Sequence, residues 1–191
     1  MNGFREIRFA IMTAVSATVW EGCGLLQEHL PGLTMSNANL VHVLDTIDEA
    51  EIDAARLAMD KAADSEVRAF AGRILNEHRG LADANGRLAR ELALQPTPPA
   101  LASDLKRAHI EAMHELRAKS GRHFDQVYLR YEIQRHVEAF NFLEAAAASV
   151  ANATLKQQLV RAGPDLLSHI SAARALERHL GFEQLDTVAA R

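Results

Sequence analysis

Apolar residues recur every three or four positions along four long stretches of the chain, which is the spacing of amphipathic α-helices. The stretches cover approximately residues 37–62, 65–94, 122–150 and 153–180. Ser36 or Asn37, Asp64 and Asn152 stand where helix N-caps are needed, and Gly181 is placed to end the last helix. The pattern therefore predicts an all-α fold with four long helices.

The connections between these stretches differ in length. Only a few residues separate the first stretch from the second, and the third from the fourth, so each pair is predicted to form an antiparallel hairpin. Residues 95–121 make a longer connection, with a proline-rich start at 95–103 and a shorter helix that Ser103 is expected to cap. A helix rises about 1.5 Å per residue, so this crossover can return the chain to the far end of the first hairpin. Two hairpins joined by such a crossover make a ferritin-like four-helix bundle, predicted here for residues 36–181 with a tail at 182–191.

Polar side chains capable of binding metal interrupt each of the four apolar stripes near the middle of its helix. Helical spacing places them on the same face as the leucines, and residues halfway along packed helices of similar length lie at about the same height. They are therefore predicted to meet inside the hydrophobic core. The five residues are Glu51, His78, Glu132, His136 and His169.

Imidazoles and carboxylates together suit a transition metal such as zinc, iron or manganese. A bound cation would also offset the cost of burying the Glu51 and Glu132 charges. We expect one ion, with Glu51, His78, His136 and His169 as ligands and Glu132 as a fifth ligand or as the partner that orients His136. A metal-free polar layer, in which buried histidines hydrogen-bond to glutamates and fix the helix register, is the alternative.

The first 22 residues have the features of a secretory signal. Arg5 and Arg8 precede an apolar segment at 9–20, which is too short for a membrane-spanning helix of about 20 residues, and small residues follow. We therefore expect export, with a location in the periplasm or the outer membrane.

The single cysteine, Cys23, stands where a bacterial lipoprotein carries its lipid-modified residue, with residues 23–35 as a tether. Trp20 and Glu21 depart from the small or aliphatic residues usual before that cysteine. Lipidation of Cys23 would make the anchor the only membrane contact. The alternative is an uncleaved N-terminal anchor helix with a buried thiol.

The charge balance limits the partners and the chemistry. The chain has 21 lysines and arginines against 25 acidic residues, and no basic cluster stands out, so we expect no nucleic-acid partner. His109, Glu111 and His114 on the crossover helix are expected to lie on a solvated face. No separate nucleophile or phosphate-binding loop is present, which argues against an enzyme. The pattern leaves the protein partner unidentified and a homo-oligomer open.

From Ser36 to Leu180 the sequence resembles the domain-of-unknown-function family 4142, ferritin-like bacterial proteins often described as outer-membrane or periplasmic. The resemblance implies a ferritin-like fold and a secretory leader, but no settled activity. It places the family's polar positions at Glu51, His78, Asp125, His136 and His169. The matching segments are Asn37-Ala38-Asn39, Ala50-Glu51-Ile52, Leu57-Ala58, Val67-Arg68-Ala69-Phe70-Ala71, Glu77-His78, Phe124-Asp125, Tyr128, His136, Pro164, Leu166 and His169.

The sequence departs from the ferritin-like di-iron pattern, which uses Glu-x-x-His on two of its helices. Apolar residues replace that glutamate three positions before His78, His136 and His169. Two irons would require more carboxylate, so one ion is favoured, in a role such as metal storage, sensing or stress protection. A metal-free structural or interaction module of the envelope and a di-iron-type redox enzyme remain as alternatives.

Overall fold

The computed structural model describes residues 34–95 and 98–182, and these residues form five α-helices without any strand. The helices are α1 (Asn37–Lys61), α2 (Ser65–Glu91), α3 (Ala100–Ala118), α4 (Gly121–Ser149) and α5 (Ala153–His179). The all-α prediction is confirmed. The predicted signal at 1–22, Cys23 with most of its tether, and residues 183–191 lie outside the described residues.

Local sequence signals account for most of the helix ends. The side chains of Ser36, Asp64 and Asn152 accept hydrogen bonds from backbone amides in the first turns of α1, α2 and α5. Gly181 has a φ of +68° just beyond α5, a conformation that glycine adopts without strain. The predicted start of α3 at Ser103 is wrong, because α3 begins at Ala100. The helix starts directly after the prolines, and the carbonyl of its N-cap Pro99 accepts a hydrogen bond from Ala102.

The long helices pack as two pairs, α1 with α2 and α4 with α5, and α1 also contacts α4 while α2 contacts α5. The backbone amide of Ala63, between α1 and α2, donates to Asp125 at the start of α4, so α2 and α4 begin at the same end. Gln158 near the start of α5 donates to Asn85 near the end of α2, so these two helices run in opposite directions. The two long helices on either side of the crossover are therefore parallel.

Helix α3 lies along α1 and carries the chain between the two pairs. His109 on α3 is 3.1 Å from Asp53 on α1, and the Lys61 amine donates to the Arg117 carbonyl at 2.6 Å. The expected solvated face is wrong for His109, whose side chain is 15% exposed and whose other ring nitrogen lies 3.4 Å from the Tyr131 hydroxyl. The helix packs closely enough on α1 and α4 to enclose that ring.

The core consists of two apolar clusters separated by a polar layer. One cluster combines the first part of α1 with the end of α2, the second half of α4 and the first half of α5. The other combines the second half of α1 with the start of α2, the first half of α4 and the end of α5. Phe182, which the sequence placed in the tail, is 1% exposed and belongs to the second cluster, beneath the Arg122 guanidinium. Within the described residues, no helix is both long and apolar enough to cross a membrane.

Candidate metal centre

The polar layer between the two clusters contains all five residues that the sequence directs inward. Each is 1% or 2% exposed, so their predicted burial is confirmed. They come from four different helices: Glu51 from α1, His78 from α2, Glu132 and His136 from α4, and His169 from α5. The apolar clusters above and below shield these five side chains from solvent.

Three imidazoles converge on one point in the layer. The Nε2 atom of His136 lies 3.3 Å from Nε2 of His78 and 2.9 Å from Nδ1 of His169. One nitrogen of each ring lies within 4.8 Å of the others, which is close enough to share an ion. We call these three residues the histidine triad.

Each ring of the histidine triad has a hydrogen-bond acceptor at its other nitrogen. Nδ1 of His78 lies 2.8 Å from an oxygen of Asp48, and Nδ1 of His136 lies 2.8 Å from the backbone carbonyl of Glu132. Nε2 of His169 meets the carboxylate of Glu77. Carbonyl and carboxylate oxygens only accept, so the single proton of each neutral ring lies on these outer nitrogens. The inner nitrogens of the three neutral rings therefore all carry lone pairs.

Three lone pairs that face each other cannot form hydrogen bonds, so the arrangement needs either an added proton or a metal ion between the rings. Zinc–imidazole bonds of 2.0–2.1 Å in a tetrahedral arrangement place neighbouring nitrogens about 3.3 Å apart. The two nitrogen–nitrogen separations, 3.3 and 2.9 Å, are near that value. The histidine triad can therefore hold a metal ion with little rearrangement.

Asp48 and Glu77 were not among the sequence candidates, although they orient two of the three rings. Asp48 is itself fixed by the side-chain amide of Asn85 at 2.9 Å, and Asn85 accepts a hydrogen bond from Gln158. Asp48 lies four residues after Leu44 on the buried stripe of α1, so helical spacing could have identified it. Glu77 is exposed and gave no such signal.

The two glutamates form a second group with His136. One ligand atom from each of Glu51, Glu132 and His136 lies within 4.8 Å of the others. One oxygen of Glu51, both oxygens of Glu132 and the Tyr128 hydroxyl are buried without a hydrogen-bond partner. We call Glu51, Glu132 and Tyr128 the carboxylate group. The five candidates thus form two overlapping sets that share His136, rather than one set around a single point.

Burial favours the neutral form of every group in the layer, so it acts to raise the pKa values of the glutamates and to lower those of the histidines. It raises the pKa of Glu51, and it raises the pKa of Glu132 well above its usual range, with the nearby Glu51 charge adding to the effect. Burial, together with the other two imidazoles, lowers the pKa of His136 well below its usual range. At neutral pH His136 is therefore neutral and has a free lone pair.

The two outer rings of the triad differ from each other. Burial lowers the pKa of His169 even though Glu77 opposes the change. Burial also acts to lower the pKa of His78, but Asp48 and Glu51 outweigh it and raise that pKa. His78 is thus the ring that holds a proton most readily without metal, and a cation would have to displace that proton.

Two further polar residues near the layer have structural contacts. The Asp125 carboxylate accepts from the backbone amides of Ala63 and Asp64 at 2.9 and 3.0 Å, so it ties α4 to the turn between α1 and α2. The Tyr128 ring stacks on Phe124 with centroids 6.0 Å apart, which directs its hydroxyl toward the glutamates. Asp125 is therefore not a candidate ligand.

Comparison with known proteins identifies the family but no activity. Neither the curated proteins nor the solved structures include a match to this chain. The family described as a domain of unknown function, DUF4142, matches residues 26–176, which contain the histidine triad and the carboxylate group. This match confirms the resemblance seen in the sequence: the chain belongs to the domain-of-unknown-function family 4142.

Proposed function

We propose that this protein binds a single transition-metal ion between its four long helices. The observation that carries the proposal is the histidine triad, whose inner nitrogens face each other while their outer nitrogens are occupied. Without a metal ion, the three rings avoid lone pairs in mutual contact only by taking up an extra proton, which His78 holds most readily. With the ion, every nitrogen of the three rings has a partner.

The ligands would be His78, His136 and His169. Glu51 would complete the coordination only after moving toward the triad, and Glu132 would be a fifth ligand after a similar movement or a partner of His136. The two carboxylates would supply negative charge against a divalent ion. Zinc, iron and manganese all accept mixed imidazole and carboxylate donors, so the donor set leaves the choice among them open.

The helix arrangement supports a ferritin-like bundle as the scaffold of this site. Two packed pairs are joined by α3, and α2 and α4 begin at the same end, as two hairpins with a long crossover require. Bundles of this kind place metal ligands on facing helices, which is where the triad lies.

The proposed location rests on the sequence alone. We propose that the protein lies in the periplasm or at the outer membrane, held by a lipid on Cys23. Metal storage, sensing or stress protection would be compatible with the proposed metal site. Replacing Cys23 with serine should then abolish incorporation of labelled lipid. If the wild-type chain takes up no label, the lipoprotein proposal is wrong.

A di-iron-type redox enzyme is the second candidate, and the carboxylate group is the observation that favours it. Its unpartnered oxygens could face a second cation beside the first. Against it, Asp48 and Glu77 are engaged with imidazoles, which leaves two carboxylates for two ions.

Metal analysis of the purified full chain, followed by titration with Zn²⁺, Fe²⁺ or Mn²⁺, tests the proposal. We expect one ion per chain and, for His136→Ala, a loss of affinity of more than about 100-fold, since even partners of ligands are worth 10–100-fold. His109→Ala is the control, because it removes a largely buried histidine outside the layer.

Other outcomes of the same measurements favour the alternatives. No bound metal, and no shift in melting temperature on adding these ions, would leave only a metal-free module. Two ions per chain together with consumption of oxygen would support the redox enzyme.

A further inference from the structure

The polar layer touches solvent at Glu77. The residues of the histidine triad, together with Asp48, Glu51 and Glu132, are at most 5% exposed. The side chain of Glu77 is 44% exposed and hydrogen-bonds to His169. Among the described residues that contact the triad, Glu77 is thus the charged group that faces both the site and the solvent.

A surface groove ends about one helical turn from this position. It lies between α2 and α5, encloses about 480 Å³, and is floored by small residues that include Ala69, Ala172 and Ala175. Arg73 lines the groove one helical turn before Glu77. The open space between α2 and α5 therefore begins about one helical turn from the exposed Glu77 carboxylate.

Arg73 forms a long ion pair with the other oxygen of the Glu77 carboxylate. Its Nε atom lies 4.0 Å from the Glu77 oxygen that does not meet His169, and its guanidinium stacks on the Phe70 ring with its central carbon 5.6 Å from the centroid. Both side chains of this ion pair are more than one-third exposed, so the pair is weak and exchanges readily. A cation that arrives by the groove can replace the guanidinium at that oxygen.

The opposite end of the hydrogen-bonded chain offers a much smaller opening. A cavity of about 40 Å³ there reaches Asp48 and His78, against about 480 Å³ for the groove. The carboxylates at that end, Asp48 and Asp45, are both hydrogen-bonded to Asn85. Asn85 is also buried at 3% exposure.

We propose that Glu77 is the entry point for the metal ion of the proposed function, and that Arg73 restrains it by occupying the oxygen that the ion must reach. The ion first binds the exposed carboxylate and then passes to the histidine triad as His169 is released from Glu77. This proposal depends on metal binding, but it concerns the rate of loading rather than the existence of the site.

The test is the kinetics of Co²⁺ binding to the full chain, followed by the visible absorption of the bound ion, with dissociation measured by competition with a chelator. Glu77→Gln keeps an oxygen that can accept from His169 but removes the charge, so the association rate should fall about tenfold. The dissociation rate should fall with it, because the ion leaves by the same path.

Arg73→Gln should have the opposite effect and raise the association rate several-fold, because it frees the Glu77 carboxylate. Matched controls on α2 are Arg79→Gln and Glu91→Gln, which remove the same charges at exposed positions away from the groove. Both controls should load at close to the wild-type rate.

The possible failures are distinguishable. If Glu77→Gln lowers affinity only through faster dissociation, Glu77 merely orients His169 and the entry proposal is overturned. Equal effects of Arg73→Gln and Arg79→Gln would show that the association rate depends only on the net charge of the protein, and would also overturn the entry proposal. If the wild-type chain binds no Co²⁺ at equilibrium, the metal function itself fails, and the entry point with it.

Discussion

The two halves of the polar layer are equally buried but differ in how their polar atoms are satisfied. In the histidine triad, every outer nitrogen has an acceptor from another residue. In the carboxylate group, four oxygens, including the Tyr128 hydroxyl, have no hydrogen-bond partner. The first half is therefore oriented before any ligand arrives, while in the second half burial favours the protonated form of the two glutamates.

This difference assigns distinct physical roles to the two halves. Pre-oriented rings lose little conformational entropy when they bind an ion, so the triad determines affinity. Buried carboxylates without partners destabilise the fold when charged, and their raised pKa values reflect that cost. A metal ion would relieve both conditions, because it accepts the lone pairs and neutralises the glutamates.

Removing the orientation of one ring is the largest effect expected from a residue that is not itself a ligand. Asp48→Ala takes away the acceptor of the His78 Nδ1 proton, so that ring can rotate or change tautomer. Metal affinity, measured by calorimetric titration, should fall by about 10–100-fold.

Asp125→Ala is the matched control for that measurement, because it also removes a buried aspartate that accepts two hydrogen bonds. It should lower the free energy of unfolding by about 1–3 kcal/mol without changing metal affinity. Equal losses of affinity in the two variants would show that binding follows general stability, and the orienting role of Asp48 would be rejected.

The sequence could predict the burial of the site residues but not their contacts with other helices. Burial depends on which face of a helix a residue occupies, so spacing alone identified Glu51, His78 and His169 as inward residues. Helical spacing could also have placed Asp48 inward, but its importance depends on a contact with α2. Glu77 is exposed, and its contact with His169 depends on how α5 is placed against α2, which no local pattern reveals.

The sequence also could not predict that the five candidates divide into two sets. Glu132 and His136 lie one turn apart on α4, a rise of about 6 Å, and at this spacing two side chains can either reach one ion or diverge. The side-chain rotamers decide that the His136 ring faces the other imidazoles while Glu132 faces Glu51. Periodicity fixes the face of a helix but not the rotamer of a side chain.

Changing a glutamate of the carboxylate group should affect stability and metal binding in opposite directions. Glu132→Gln removes a buried charge that has no hydrogen-bond partner, so the metal-free protein should gain roughly 1–3 kcal/mol in free energy of unfolding at pH 7.5. The same variant should bind metal more weakly, because the site loses negative charge. Urea unfolding in the presence of a chelator and calorimetric titration measure the two effects.

An apolar residue of the same size is a useful control for this variant. Ile133→Ala changes the neighbouring position on α4, which packs partly buried against the second apolar cluster, and it should lower stability without weakening metal binding. A loss of stability in Glu132→Gln would show that this carboxylate is satisfied in the folded chain, and the contrast between the two halves would be lost.

The smallest effect is a difference in pH dependence between the two halves of the metal-free protein. The folded-state pKa of His136 is lowered from 6.5, so the unfolded chain binds the extra proton first, and wild-type stability falls as the pH drops below 6.5. His136→Gln lacks this loss, and its stability relative to wild type should rise by about 1 kcal/mol between pH 7.5 and 5.5.

The folded-state pKa of Glu132 is raised from 4.5, so the destabilisation by its charge is present at neutral pH and disappears as acid protonates it. The advantage of Glu132→Gln over wild type should therefore shrink over the same interval. Urea unfolding of the three proteins with a chelator gives both slopes, and slopes of the same sign would mean that the imidazoles and the carboxylates titrate as one set.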